Sequence, residues 1–296
     1  MTTLTPGGIP LPLVCEGKVR ALYDAGPLYL MVASDRISAF DSVMPTEIPH
    51  KGMILTQLSE YWFRATESVV PNHFVSTYPH TFPEVVQGHV SLLQGRSMLV
   101  AKCVPILVEC VVRGFMAGSA WQEYQSSGTV AGVRLPSGLG PGSRIPEPLF
   151  CPAIKNHQGH DENISYATLA DQVGADIASQ LKAASLAVYT CGATIAEEKG
   201  LYVADTKFEF GWIGNQLTLI DELLTPDSSR YWDMAAYEDA MATSTLPVGY
   251  DKQVLRDYLK AAGASGPVAL PSSVVTRILA QYSRVFERIT GEPFHT

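Results

Sequence analysis

Residues 201–230, LYVADTKFEFGWIGNQLTLIDELLTPDSSR, constrain this chain more than any other stretch. Read with period two, Asp205, Lys207 and Glu209 point to one side of a strand, and Thr206, Phe208 and Phe210 to the other. Gly214-Asn215 breaks the run in hairpin fashion, and Gln216–Ile220 resumes an alternating apolar strand. That second strand ends in Asp221-Glu222, followed by the turn-rich Thr225-Pro226-Asp227-Ser228-Ser229 and then Arg230. Like-sided charges on a strand backed by phenylalanines cost stability unless water, a metal or an anionic ligand solvates them. Two readings fit this pattern alone: the solvated outer face of a sheet, or a ligand site.

Composition narrows the partners. A formal net charge of -8 over 296 residues argues against nucleic acid or an anionic membrane surface, so any anionic ligand must meet local basic clusters. Apolar residues make up 46%, ample for one large domain or two. The five cysteines (Cys15, Cys103, Cys110, Cys151, Cys191) are odd in number and lack C-x-x-C spacing, which disfavours a disulfide framework or a zinc site. The start MTTLTPGGIPLPL has neither the basic residues nor the apolar run of a signal peptide, and no segment is apolar enough to span a bilayer. A soluble, cytoplasmic protein is expected, as a monomer or small homo-oligomer.

Along the chain, residues 1–13 read as a surface arm, and Val14–Asp24 as two short strands about Gly17-Lys18. Glycine at such a turn lets backbone N–H groups approach a phosphate that Lys18 can neutralise; an ordinary hairpin with an exposed lysine fits equally. The apolar strand Leu28–Ala33 delivers Ser34-Asp35-Arg36-Ile37-Ser38-Ala39-Phe40-Asp41 at a sheet edge, a place for a ligand loop or a capped turn. Met53–Val69 has helical spacing. Ser97–Val112 reads as strand, hinge near Pro105, and second strand ending at Arg113-Gly114. Exposed backbone at such a hinge suits an adenine edge. Phe115–Tyr124 is a turn entering a helix, where Arg113 and Ser119 suit a phosphate, or Ser119 is simply the N-cap. Gly128–Pro152 reads as an irregular insertion. His157 and His160 lack a third ligand at zinc spacing. Tyr166–Lys199 is largely helical with Gly200 at its C-cap, and Tyr231–Ala242, Lys252–Ala262 and Ser273–Thr290 are further helices.

Six collinear stretches, GKVRALYD, ASDRISAFD, VECVVRGFMAGSAWQEY, HDENIS, VADTKFEFG and IDELLTPDSSRYW, span residues 17–232. In these the chain resembles the SAICAR synthetase (phosphoribosylaminoimidazole-succinocarboxamide synthase) family. The resemblance implies an ATP-dependent ligase of purine synthesis that joins L-aspartate to the carboxylate of carboxyaminoimidazole ribonucleotide (CAIR). It also implies an α+β fold: an antiparallel β-rich N-terminal lobe like that of protein kinases, a larger α+β lobe, and ATP in the cleft between. The corresponding division is 1–106, 107–260 and a C-terminal helical segment 261–296. Carried onto this sequence, Gly17 and Lys18 meet ATP phosphates and Glu109 the nucleotide ribose, while Glu209 and Asp221 hold Mg2+. Arg113, Ser119, Lys207 and Arg230 surround CAIR with Asp205 nearby, Lys207, Arg230 and Asp205 being the catalytic candidates. Asp35, Arg36 and Ser38 fall on the substrate side.

The chemistry needs such a set. A carboxylate must be activated before an amine can displace its oxygen, and phosphoryl transfer between anions needs positive charge and positioning. A kinase-like nucleotide-binding protein acting on another small molecule is the alternative, but H-R-D-L-x-x-x-N and D-F-G motifs are absent. One expectation is geometric. With a plain two-residue loop at Gly214-Asn215, Ile213 faces Gln216 and Asp221 falls on the phenylalanine side. A shared metal for Glu209 and Asp221 therefore predicts a bulge, with Gly211 the natural place, or a longer loop between Phe210 and Gln216.

Overall fold

The computed structural model describes residues 8–154, 162–243, 245, 247–264 and 266–295; His157 and His160 lie outside them. Contacts divide the chain into two compact units. One runs to Arg64, takes in Asn72–Val104 and resumes from Asp251; the other holds Ala65–Pro71 and Pro105–Tyr250. Residues from Asp251 onward group with the first unit.

The first unit carries a five-stranded antiparallel sheet, in the order β1 (Leu13–Glu16), β2 (Arg20–Ala25), β3 (Leu28–Ala33), β5 (Ser97–Ala101), β4 (Phe74–Ser76). The two strands expected about Gly17-Lys18 are present. Alternate residues Leu30 and Val32 of β3 join Tyr23, Leu99, Phe82, Val86 and Leu93 in its core, and Ile9 is buried among them, so the N-terminal arm is partly inside. Helix α1 (Lys51–Ala65) starts against the end of β3: a Cβ on Gly52 would lie 2.5 Å from the Ala33 carbonyl oxygen.

The second unit is built on a larger sheet of β6 (Val108–Phe115), β7 (Arg144–Ile154), β8 (Leu201–Ile213), β9 (Gln216–Ile220) and β10 (Ser229–Asp233). β6 lies between β7 and β8, while β9 and β10 both pair with β8. Strand β7 corrects the insertion expected at Gly128–Pro152. Its last residues pair closely with β6, and a register shift between Arg144 and Leu149 accommodates Pro146 and Pro148, which have no N–H to give a ladder. Helix α2 is Ser119–Ser127; α3 (Tyr166–Val173) and α4 (Ala175–Glu198) divide the expected long helix at Gly174, φ +91°. Gly200, φ +74°, follows α4 as expected. α5 (Met234–Ala242) starts later than expected because Tyr231–Asp233 complete β10. α6 (Gln253–Ala261) and α7 (Ser272–Thr290) match closely. Among the described residues no helix is long and apolar enough to cross a membrane, and all five cysteines are free.

The two faces of this sheet differ. Helix α4 covers the face bearing Cys110, Val112 and Gly114: the Tyr189 hydroxyl donates to the Val203 carbonyl at 2.7 Å, and a Cβ on Gly114 would collide with it. Burial there pushes the Cys110 thiol up to about 12. The opposite face is covered at its β7 side by α2, through Met116, Ala120, Cys151, Val111 and Leu149. What remains is a polar strip along β6, β8 and β10.

Candidate active site

The strip follows from register. Asp205 pairs with Arg113 and with Arg230, and Lys207 with Val111, so these residues share one face with Glu109 and Glu209. Alternation along β8 holds as read: Asp205, Lys207 and Glu209 on this side, buried Phe208 and Phe210 on the other.

One end of the strip is basic. The Arg113 guanidinium donates to Asp205 Oδ2 at 3.0 Å and to Ser119 Oγ at 3.1 Å, and Arg230 pairs with the same Asp205 oxygen. One buried carboxylate thus holds two guanidinium forks. Ser119 is not the N-cap; Gly118 is, with φ +55° and ψ −131°, and the Ser119 hydroxyl serves Arg113 instead. Gly118 borders the arginine pair, a place the sequence did not mark. A Cβ there would lie 2.7 Å from an Arg230 nitrogen, so a side chain would make that guanidinium shift.

The other end is acidic. Lys207 pairs with Glu109 and lies 3.7 Å from Glu209. Burial lowers the Lys207 pKa, but the carboxylates Glu109, Glu209 and Asp221 together outweigh it and hold the ammonium above the ordinary lysine value. Asp221 therefore lies within electrostatic reach of Lys207. The expected bulge is absent: pairing is unbroken from Glu209–Ile220 to Ile213–Gln216 around a two-residue loop, with Gly211 in register. Asp221 stands just past β9 with φ +69°, a left-handed residue outside the ladder, so the alternation of β9 no longer sets its direction. The irregularity in β8 lies instead between Val203 and Asp205, beside the arginine pair.

The remaining candidates lie in the first unit. Lys18 projects from the β1–β2 turn with its side chain 51% exposed and pairs with Asp41. Asp35, expected on the substrate side, is well partnered within the first unit. Its two oxygens take both NH groups of Arg96 at 3.0 and 3.1 Å and the backbone N–H groups of His50 and Gly52 at the start of α1. Arg36 contacts Glu16, Gly17 and Ser34, and Ser38 lies in a two-residue strand paired with Ser42–Val43.

The face thus joins a cationic end and a carboxylate end on an antiparallel α+β scaffold. The SAICAR synthetase family model matches residues 13–269, and the chain belongs to that family. It is 46% identical over 285 residues to the phosphoribosylaminoimidazole-succinocarboxamide synthase of Desulforapulum autotrophicum, covering 95% of each chain. The enzyme of the same name from Pelobacter propionicus is 45% identical, over 98% of this chain and 97% of its own. The structure of SAICAR synthase from Saccharomyces cerevisiae complexed with SAICAR superimposes with a TM-score of 0.88 at 41% identity, covering 100% of this chain and 99% of that one.

Proposed function

We propose that the chain joins L-aspartate to the CAIR carboxylate at the strip of β6, β8 and β10, consuming ATP and releasing ADP and phosphate. The observation that carries this reading is the division of one sheet face into an arginine pair bridged by Asp205 and a lysine beside the carboxylates of Glu109 and Glu209. Residues two apart on a strand lie about 7 Å apart, so Asp205 and Lys207 can serve neighbouring parts of one ligand.

In this reading Arg113, Ser119 and Arg230 hold the CAIR phosphate, and Lys207 draws the carboxylate into position. Lys18 and Gly17 hold ATP phosphates, and Glu109 lies at the nucleotide; the placement of ATP in a cleft beside a kinase-like lobe rests on the resemblance. A carboxylate oxygen of CAIR attacks the terminal phosphorus, the bond to ADP breaks, and an acyl phosphate forms. The aspartate amine then attacks the carbonyl carbon, loses a proton, and phosphate leaves. Lys207 stabilises the charge that moves onto oxygen at each step.

Glu209 and Asp221 fit a magnesium ion. Both are oxygen donors, and Lys207 alone leaves the charge of three carboxylates only partly neutralised. Magnesium is commonly held by one or two protein carboxylates and completes its shell with water and phosphate oxygens. When bound, the ion would neutralise phosphate charge. The test is dependence: ADP release should require CAIR and aspartate together and match succinocarboxamide formation one for one. Steady ADP release without aspartate would favour phosphorylation of a different small molecule.

A further inference from the structure

We propose that Arg36 is a positioning residue that pre-orders the Gly17-Lys18 turn for a nucleotide phosphate, and that it touches no substrate. The proposal rests on the reading of Lys18 as a phosphate ligand. Its basis is where the guanidinium goes. One terminal NH group pairs with Glu16 Oε1 at 3.0 Å, the other donates to the Gly17 carbonyl at 3.3 Å, and Nε donates to Ser34 Oγ at 3.1 Å. Ser34 Oγ in turn donates to the Val19 carbonyl at 2.8 Å, and the Ser34 N–H donates to the same carbonyl at 2.9 Å. Lys18 is thus bracketed: the residues on both sides of it are tied to Arg36 directly or through Ser34. Its own side chain stays half exposed at the tip.

The chemistry explains why arginine stands here. Its planar fork reaches three acceptors at once, which a lysine ammonium on a flexible stem does not reproduce. Each of its three side-chain nitrogens has a partner in the first unit, at Glu16, Gly17 or Ser34. Both partners of the ion pair are partly shielded, with side chains 29% and 33% exposed. A turn held in its binding conformation spares the ligand the cost of ordering it. If the turn is loosened, apparent affinity falls by the fraction of time the competent shape is lost.

The experiment uses the full chain with Arg36→Lys, Glu16→Gln, the double variant and Lys18→Ala. KM values for ATP, CAIR and aspartate are measured, together with amide hydrogen exchange across residues 14–20 without nucleotide. Arg36→Lys should raise KM for ATP about tenfold, change kcat by no more than about twofold, and leave the other KM values unaltered. Exchange across 14–20 should quicken. Glu16→Gln should act in the same direction by about threefold, and the double variant should be no worse than Arg36→Lys, since both cut one latch. Should Arg36→Lys fold poorly, Glu16→Gln reads the same contact from the other side. Unchanged exchange, or a KM effect confined to CAIR or aspartate, overturns the proposal. Lys18→Ala separates the two readings: if it leaves KM for ATP unaltered, the phosphate assignment of Lys18 fails and the pre-ordering role falls with it. Quickened exchange would then report a structural latch only.

Discussion

Lys18 and Lys207 each pair with a carboxylate, and they sit in opposite surroundings. Lys18 and Asp41 face water with side chains 51% and 40% exposed. Such a pair contributes about 0–1 kcal/mol and can exchange its carboxylate for a phosphate at little cost. Lys207 lies on a strand paired on both sides, partly desolvated, with Glu109 and Glu209 beside it. Its charge is fixed in place before any ligand arrives. The contrast teaches that one residue type serves two ends: an adaptable grip at a turn and a pre-aimed charge on a sheet.

The largest break of this comparison is Lys207→Ala. Turnover should fall by about a thousandfold or more, the scale of losing a preorganised charge at a reacting group. The fold should survive, because the core face of β8 is untouched; circular dichroism and kcat measured side by side check both. The pH dependence sharpens the point. Because its folded pKa is raised above 10.5, the stability Lys207 contributes is fully present below that value and lost only as pH climbs through the folded pKa. An alkaline limb in kcat between pH 7 and 10 must therefore come from another group, and one that vanishes in Lys207→Ala alone would contradict the assignment.

At the basic end, Arg230→Lys replaces a fork with a point charge and should raise KM for CAIR by about ten- to a hundredfold, with KM for ATP nearly unchanged. An unaltered CAIR requirement would move Arg230 out of the site. Gly118→Ala tests the same contact from below. The added Cβ meets the Arg230 guanidinium, and alanine is strained at φ +55°, ψ −131°. About a tenfold loss in kcat/KM for CAIR is expected with about 1–3 kcal/mol of destabilisation. A Gly118→Ala enzyme with normal CAIR kinetics would show that Arg230 acts elsewhere.

These residues also mark how far the sequence could be read. Period-two alternation placed Asp205, Lys207 and Glu209 together because a strand leaves a side chain only two directions. The hairpin loop was legible in Gly214-Asn215, yet the bulge inferred to unite Glu209 with Asp221 does not exist. Aspartate enters the left-handed region more readily than most residues but does so only in a minority of positions, so the turn at Asp221 could not be read from its identity. Prolines 146, 148 and 152 masked β7 for a related reason: they forbid a ladder bond locally, while a register shift lets the strand continue beyond. The motif around Asp35 suggested a ligand loop, but its carboxylate anchors Arg96 and α1. Long-range partners like these depend on residues some sixty positions away, which no local pattern encodes.

The smallest expected effect is on the exposed side of the comparison. Asp41 stands at φ +59° beside Phe40 at φ +48°, so an alanine there would mix lost charge with backbone strain. Asparagine tolerates that conformation and removes only the charge. Asp41→Asn should shift stability by less than about 0.5 kcal/mol, because the Lys18 pair is exposed and screened by salt. KM for ATP should stay level or fall by about twofold at most, since Lys18 gives up a competing carboxylate. Glu109→Gln is the matched change at the enclosed lysine and should cost far more in kcat, because it removes the nearest partner of a partly desolvated ammonium. Should the two amide variants prove equally mild, Lys207 would be no more fixed than Lys18, and the distinction between a pre-aimed charge and an adaptable grip would collapse.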